Sequence, residues 1–125
     1  MFPFRALARS GAVIAFGTDA PVEPIDPWPG IACAVTRAAP SWPPDTPPLG
    51  PVQAVRVWAA IRAACVGPAI TAGEPDRGRL TAGCRADLVV LPAAAVAEPV
   101  ELGGALWHAR PRLVVVDGEA VAGDL

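Results

Sequence analysis

The segment at residues 11–28 constrains the fold more than any other stretch of the sequence. It opens with a short apolar run, Ala-Val-Ile-Ala-Phe at residues 12–16, which is bracketed by Gly11 and Gly17. Four prolines follow between residues 21 and 29, so the segment cannot continue as a helix. A short apolar run bounded by turn residues predicts a buried strand. Because the run is apolar on both faces, it favours a parallel sheet that is covered on each side.

Asp19 is the first carboxylate of the chain and lies just past the C-terminal end of this predicted strand. In parallel α/β proteins, that end of the strands is where catalytic residues are placed. An ordinary turn explains the same residues, because Gly-Thr-Asp followed by Ala-Pro is common turn chemistry. From these residues alone, Asp19 is therefore either a site residue or a turn residue.

Composition limits the class of protein. The 125 residues correspond to one domain and fall short of the roughly 250 residues typical of a complete (β/α)8 barrel. A hydrophobic content of 53% excludes a disordered chain, while 16 prolines indicate much irregular backbone. The net charge is -2 and the arginines are scattered, so no surface for nucleic acid or membrane is indicated. The N-terminus lacks the layout of a signal peptide, and no apolar run would span a bilayer, so we predict a cytoplasmic protein with reduced cysteines.

Apolar periodicity and turn residues predict the remaining elements. They are the end of a helix at residues 2–10, a short helix at 31–39, a Pro-rich loop at 39–51, a helix at 51–66 that stops at Gly67-Pro68, a strand at 88–91, and a hairpin of strands 113–116 and 119–122 around Asp117-Gly118. The Pro-rich loop contains Trp42 and could serve as a docking peptide for an SH3- or WW-type module. We favour a plain surface loop for it.

Three stretches together resemble the metal-dependent amidohydrolases. The sequence Ala-Phe-Gly-Thr-Asp-Ala-Pro-Val at residues 15–22 is similar to the last barrel strand of that superfamily, whose motif reads Gly-(Ser/Thr)-Asp-(Ala/Trp)-Pro. Residues 78–91, which end in Ala-Asp-Leu-Val-Val-Leu, are similar to its C-terminal signature. Between them, Ile-Ala-Cys-Ala-Val-Thr-Arg at residues 31–37 matches the Ile-x-x-Ala-Val-x-Arg segment of the amidohydrolase-3 type branch. The resemblance covers nearly the whole chain, but only the C-terminal part of such an enzyme.

The resemblance implies an α/β fragment with two parts. Residues 1–70 would be the C-terminal remnant of the (β/α)8 barrel, with its last strand at 12–16, the Pro-rich loop at 39–51 and its last helix at 51–66. Residues 71–125 would supply part of the small β-sandwich that flanks the barrel. In that sandwich, Asp87 would be a structural residue that bonds turn amides. Residue 1 would then fall in the middle of the barrel.

The same resemblance gives Asp19 a chemical role. It would ligate a divalent metal, with zinc the first candidate, and act as the catalytic carboxylate. It would take a proton from the metal-bound water and pass it to the leaving nitrogen. A metal lowers the pKa of its bound water towards about 7, so a carboxylate can accept that proton at neutral pH.

The other ligands of the family are missing from this sequence. The family uses a His-x-His pair, a mid-barrel carboxylate or modified lysine, and two further histidines. This chain has one histidine, His108, and no lysine. His108 stands where the family has sandwich, so we expect a surface or packing residue there. Glu23 and Asp26 are oxygen donors on one loop and do not replace a catalytic zinc site, which needs about three protein ligands.

The leading hypothesis is therefore that the chain belongs to a family of hydrolases that act on carbon-nitrogen bonds other than peptide bonds. We expect this chain alone to be a truncated piece that is inactive and binds no metal. The alternatives are one half of a split hydrolase, completed by a chain carrying the N-terminal half of the barrel, and a non-catalytic interaction module. Self-association through an open barrel edge is a further option. A small metal enzyme built on Asp19 and His108 is disfavoured by the number of ligands that a site requires.

Overall fold

The computed structural model describes residues 2–43, 45–97 and 105–124. These residues form three α-helices, which are α1 (Phe4–Arg9), α2 (Trp28–Thr36) and α3 (Val57–Ala72). Three strands follow as β1 (Leu88–Val90), β2 (Leu113–Val116) and β3 (Glu119–Gly123). Short 3-10 helices lie at Pro51–Gln53, Ala93–Ala95 and Ala105–His108.

The core lies between α2, α3 and the 3-10 helix Ala105–His108. It is formed by apolar residues from these three elements: Ile31, Ala32, Ala34, Val57, Ala60, Leu106 and Trp107. Leu106 and Val57 are the largest side chains that are fully buried, and burial of each contributes about 1.5–3 kcal/mol. Most of the other members are alanines, which let the two helices approach closely. The C-terminal part of the chain is thereby fixed against α2, some 70 residues earlier in sequence.

α3 differs from the helix predicted at residues 51–66 at both of its ends. Pro51 opens a separate 3-10 helix after Gly50, and α3 begins only at Val57. At the other end, Pro68 does not stop the helix, which continues to Ala72 and ends at Gly73 in the left-handed region (φ 73°). The last turn buries Ala69 and bonds the Gly73 N–H to the Ile70 carbonyl oxygen. This burial and capping extend the helix past Pro68, although a proline removes one backbone hydrogen bond.

The predicted buried strand at residues 12–16 is wrong. Residues 12–18 lie in neither a helix nor a strand, and Val13 is 53% exposed. The Phe16 N–H donates to the Ala63 carbonyl oxygen of α3 at 2.8 Å, so the segment runs along a helix instead of a strand. An apolar run forms a strand only where a neighbouring strand accepts its hydrogen bonds, and the sheet in the described residues lies elsewhere in the chain.

Segment 12–16 crosses α3 at Gly67. A Cβ atom at this position would overlap the Ile14 carbonyl oxygen and would lie 3.0 Å from the Ala15 Cα atom. Gly67 is buried within the helix. The glycine therefore permits a backbone-to-backbone approach that a side chain would block.

The three strands form one antiparallel sheet in the order β1-β2-β3. The turn between β2 and β3 places Asp117 at φ 50° and Gly118 at φ 83°, which is the geometry that an Asp-Gly hairpin turn requires. The predicted hairpin is thereby confirmed, as is the strand that corresponds to β1. β3 is exposed along its whole length. Among the described residues, no helix is long and apolar enough to cross a membrane.

Asp87 holds the hairpin turn in place. The Asp117 N–H donates to Asp87 Oδ1 at 2.8 Å, and the Gly118 N–H donates to the Ala86 carbonyl oxygen at 3.1 Å. Arg85 adds ion pairs to Asp76 and Asp117 at 3.1 and 3.5 Å, and its hydrogen bond to Asp76 raises the pKa of the Arg85 guanidinium. The prediction that Asp87 bonds turn amides is confirmed, although the turn it bonds lies 30 residues later in the sequence.

Candidate functional site

Asp19 lies in a tight turn at the surface. Its backbone adopts φ 56°, and its carbonyl oxygen accepts a hydrogen bond from the Val22 N–H at 2.9 Å across a cis Ala20–Pro21 peptide. The residue is exposed. Aspartate is among the residues that tolerate this left-handed conformation. The structure therefore places the carboxylate on a defined turn that is open to solvent.

A cavity of about 860 Å³ lies beside this turn. We call it the Trp107 cavity. Its walls come from the loop that follows residue 16, the first turns of α2, the Pro-rich loop and the segment 107–110, with single contributions from α1 and α3. The lining residues are Phe4, Phe16, Gly17, Thr18, Glu23, Pro24, Asp26, Pro27, Pro29, Gly30, Ile31, Cys33, Ala39, Pro40, Ser41, Ala64, Trp107, His108 and Arg110. Asp19 is not among them.

The charged groups of the Trp107 cavity are unevenly partnered. Asp26 Oδ1 accepts the Trp28 N–H at 3.1 Å, and Asp26 Oδ2 lies 3.8 Å from Arg110 Nη1. Arg110 Nη1 also donates to the Ala109 carbonyl oxygen at 3.0 Å. Glu23 and His108 are exposed, and neither forms a hydrogen bond or ion pair within the described residues. The cavity therefore contains one neutralised carboxylate and one free carboxylate.

Trp107 contributes an unusual group to the wall. The residue is 7% exposed, and its buried indole Nε1–H has no hydrogen-bond acceptor among the described residues. Leaving a buried donor unsatisfied costs about 1–3 kcal/mol. Elsewhere in the core, Trp107 packs beside Leu106 and Ile31. Trp107 thus combines close apolar packing with one polar group that lacks a hydrogen bond in the described part of the chain.

An aromatic pair and a buried arginine support the other wall. The rings of Phe4 and Phe16 lie 5.3 Å apart, and the Arg37 guanidinium lies 5.3 Å from the centre of the Phe4 ring. Arg37 is 6% exposed, and its Nε donates to the Leu49 carbonyl oxygen at 3.1 Å. In return, the Leu49 N–H donates to the Arg37 carbonyl oxygen at 2.7 Å. Arg37, the last residue of the Ile-x-x-Ala-Val-x-Arg segment, therefore ties the Pro-rich loop to α2.

The residues present do not make a metal site by themselves. Within residues 2–43, 45–97 and 105–124, no group of three or more His, Cys, Asp or Glu side chains could hold a metal ion. A catalytic zinc ion generally takes three protein ligands. His108, expected at the surface, is exposed and lines the Trp107 cavity, but Asp19 lies outside that lining.

None of the residues that line the cavity was predicted as a site residue from the sequence, and the most distant in sequence are Trp107, His108 and Arg110. They are separated from Glu23 and Asp26 by some 80 residues. The packing of Leu106 and Trp107 against α2 brings the two stretches together, and the ion pair between Asp26 and Arg110 joins them. The adjacent Trp and His were the one sequence signal, and without the fold they indicated no site.

Comparison with known proteins identifies the family. A sequence model of the Amidohydrolase family (Amidohydro_3) matches residues 1–122. A putative amidohydrolase of Bacillus subtilis (strain 168), YtcJ, is 36% identical over 91 residues, which cover 72% of this chain and 17% of the relative. No solved structure matches the chain. The chain therefore belongs to the Amidohydrolase family, whose members are generally metal-dependent, and it spans about a sixth of the length of the curated relative it matches.

Proposed function

We propose that this chain contributes the C-terminal part of a hydrolase that acts on carbon-nitrogen bonds other than peptide bonds. Family membership over residues 1–122 is the observation that carries the proposal. On this reading, segment 12–16 and α3 belong to the end of a (β/α)8 barrel, and the sheet β1-β2-β3 belongs to the flanking sandwich. Asp19 is the catalytic carboxylate and the one metal ligand that the chain supplies.

The exposed position of Asp19 supports this assignment. The turn holds its backbone at φ 56° and leaves its carboxylate open to solvent, without an ion pair in the described part of the chain. A residue that only closed a turn would use its side chain to bond nearby amides, as Asp87 does with Asp117. Asp19 forms no such bond among the described residues, so its side chain is left for another partner.

We further propose that the remaining ligands come from a separate barrel segment. The sequence holds one histidine and no lysine, and the described residues hold no cluster that could bind a metal. Segment 12–16 is apolar and pairs with no strand in the described residues, and three of its five residues are exposed although Ile14 and Phe16 are half-buried. These features support a barrel strand that lacks its neighbours. The isolated chain is then inactive and binds no zinc.

A chimera tests Asp19 directly. Residues 1–122 of this chain, which the family model matches, would replace the corresponding segment of the Bacillus subtilis relative. Zinc content and thermal unfolding would be measured with and without added zinc. We expect Asp19→Asn to lower the zinc content and to remove the zinc-dependent stabilisation. That stabilisation is about 2.7 kcal/mol when the free metal exceeds Kd a hundredfold.

Asp45→Asn is the matched control, because it removes an exposed carboxylate from the Pro-rich loop. It should leave the zinc content of the chimera unchanged. A chimera that keeps its zinc after Asp19→Asn would make Asp19 a turn residue only. Stoichiometric zinc in the isolated wild-type chain would refute the proposal that the other ligands lie on a separate segment.

A second candidate function is a non-catalytic interaction module. The specific observation is the number of large apolar side chains at the surface, among them Val13, Val52 and Trp58 at 53%, 67% and 62% exposure. Such residues mark contact surfaces when they lie together. Size-exclusion chromatography with light scattering would show self-association over a tenfold range of concentration. A monomer at every concentration would count against a module that assembles with itself.

A further inference from the structure

We propose that the Trp107 cavity binds a small ligand that carries a positively charged amino group on an apolar, aromatic-sized body. Binding uses Glu23 and the aromatic wall of the cavity. It requires neither Asp19 nor a metal, because Asp19 is outside the lining. The site therefore goes beyond the hydrolytic function proposed above.

The size and walls of the cavity suit such a ligand. Its volume of about 860 Å³ lies within the roughly 300–1,000 Å³ typical of small-molecule pockets. Phe16, Trp107 and Ile31 present apolar surface, and prolines of the neighbouring loops complete the walls. Proline and buried aromatic side chains have little rotamer freedom to lose, so the apolar surface is largely formed before a ligand arrives.

Charge selects the polar group of the ligand. Asp26 and Arg110 neutralise each other at 3.8 Å, and Asp26 also accepts the Trp28 N–H. Among the Asp, Glu and Arg side chains of the lining, Glu23 is then the one without a partner in the described residues, so these groups together carry a net negative charge. A carboxylate beside an apolar surface favours a cation and repels an anion.

Amines are also one of the two products when the C–N bond of an amide is hydrolysed. In that reaction water adds to the carbonyl carbon, the C–N bond breaks, and the nitrogen leaves as an amine after taking a proton. A role for the cavity in holding this amine rests on the proposed function. The binding itself does not, since it can be measured without metal and without turnover.

The test uses nuclear magnetic resonance on the purified, metal-free chain. Trp107 lines the cavity, and its indole N–H has no acceptor among the described residues. We expect its resonance to shift when a probe binds, and Trp107→Phe identifies that resonance among the four tryptophans. Benzylamine, benzyl alcohol and benzoate are titrated at pH 7 as cationic, neutral and anionic probes of similar size. We expect benzylamine to bind about two- to fivefold more tightly than benzyl alcohol, because the exposed Glu23 carboxylate is screened by solvent, and benzoate to bind least.

Glu23→Gln should remove the preference for benzylamine while keeping the side-chain shape. Glu119→Gln is the matched control, because Glu119 is exposed on β3 outside the cavity; it should keep the preference. Equal affinities for the three probes, no shift of the Trp107 resonance, or an unchanged preference in Glu23→Gln would each overturn the proposal. A Trp107 resonance that moves on dilution of the protein alone would show that a second copy of the chain fills the cavity, and would also overturn it.

Discussion

Gly67→Ala is the substitution whose outcome depends most directly on the close contact between segment 12–16 and α3. Gly67 lies inside a 16-residue helix, where alanine is intrinsically better by about 1 kcal/mol. Helix propensity alone therefore predicts a more stable protein. The structure predicts the opposite, because the new methyl group would overlap the Ile14 carbonyl oxygen.

The two effects can be compared in magnitude. The backbone atoms that meet the new Cβ, the Ile14 carbonyl carbon at 2.9 Å and the Ala15 Cα at 3.0 Å, cannot turn away as a side chain could. Overpacking of this kind costs about 1–3 kcal/mol. Displacing the segment would also break the hydrogen bond from Phe16 to Ala63, which contributes about 1 kcal/mol. After the gain in propensity, we expect a net loss of about 1–3 kcal/mol.

Urea unfolding followed by circular dichroism measures this difference. Gly30→Ala is the matched control, because Gly30 lies in α2 and a Cβ there meets no atom within 4 Å. Gly30→Ala should raise the free energy of unfolding by up to about 1 kcal/mol, so the two variants should differ by about 1–4 kcal/mol. If Gly67→Ala proves as stable as Gly30→Ala, segment 12–16 does not lie against α3.

Substitutions at two further positions, Asp87 and Arg37, test the contacts of the segments that resemble the family motifs. Asp87→Ala removes the acceptor of the Asp117 N–H and should lower the free energy of unfolding by about 1 kcal/mol. Asp87→Asn keeps an oxygen acceptor and should lower the free energy of unfolding by less. Asp124→Ala, at an exposed site, should leave the free energy of unfolding unchanged. Arg37→Ala should lower it by about 2 kcal/mol because it removes the buried stem as well as the bond to Leu49. Arg37→Met restores the stem without the charge and should stay within about 1 kcal/mol of the wild type. Equal losses for Met and Ala would show that the charge, and not packing, is what matters.

Elements with local signals could be predicted from the sequence. The Asp-Gly pair between two apolar runs specified the hairpin, since its geometry depends on only two residues with positive φ. The role of Asp87 was also predictable in kind, although its partner, Asp117, was not. Gly11 likewise marked the end of α1 correctly, with φ 82° just past the helix.

Elements that depend on partners could not be predicted. Residues 12–16 have the composition of a buried strand, but composition does not supply the neighbouring strand that such a run needs. The sequence predicts that the helix stops at Gly67-Pro68, but burial of Ala69 and the cap at Gly73 extend α3 to Ala72. The Trp107 cavity joins residues that no spacing rule connects.

The order in which the sheet assembles follows from its topology. β2 and β3 are joined by a two-residue turn and can pair within about 1–10 μs, as isolated hairpins do. In the pairing of β1 with β2, Leu88 lies opposite Val115. Docking of β1 must therefore close a long connection, so it is slower than hairpin formation and has a larger entropic cost. The Asp87 bond to the turn forms only in that second step. Substitutions at Asp87 should therefore leave hairpin closure unchanged and act mainly by hastening the undocking of β1.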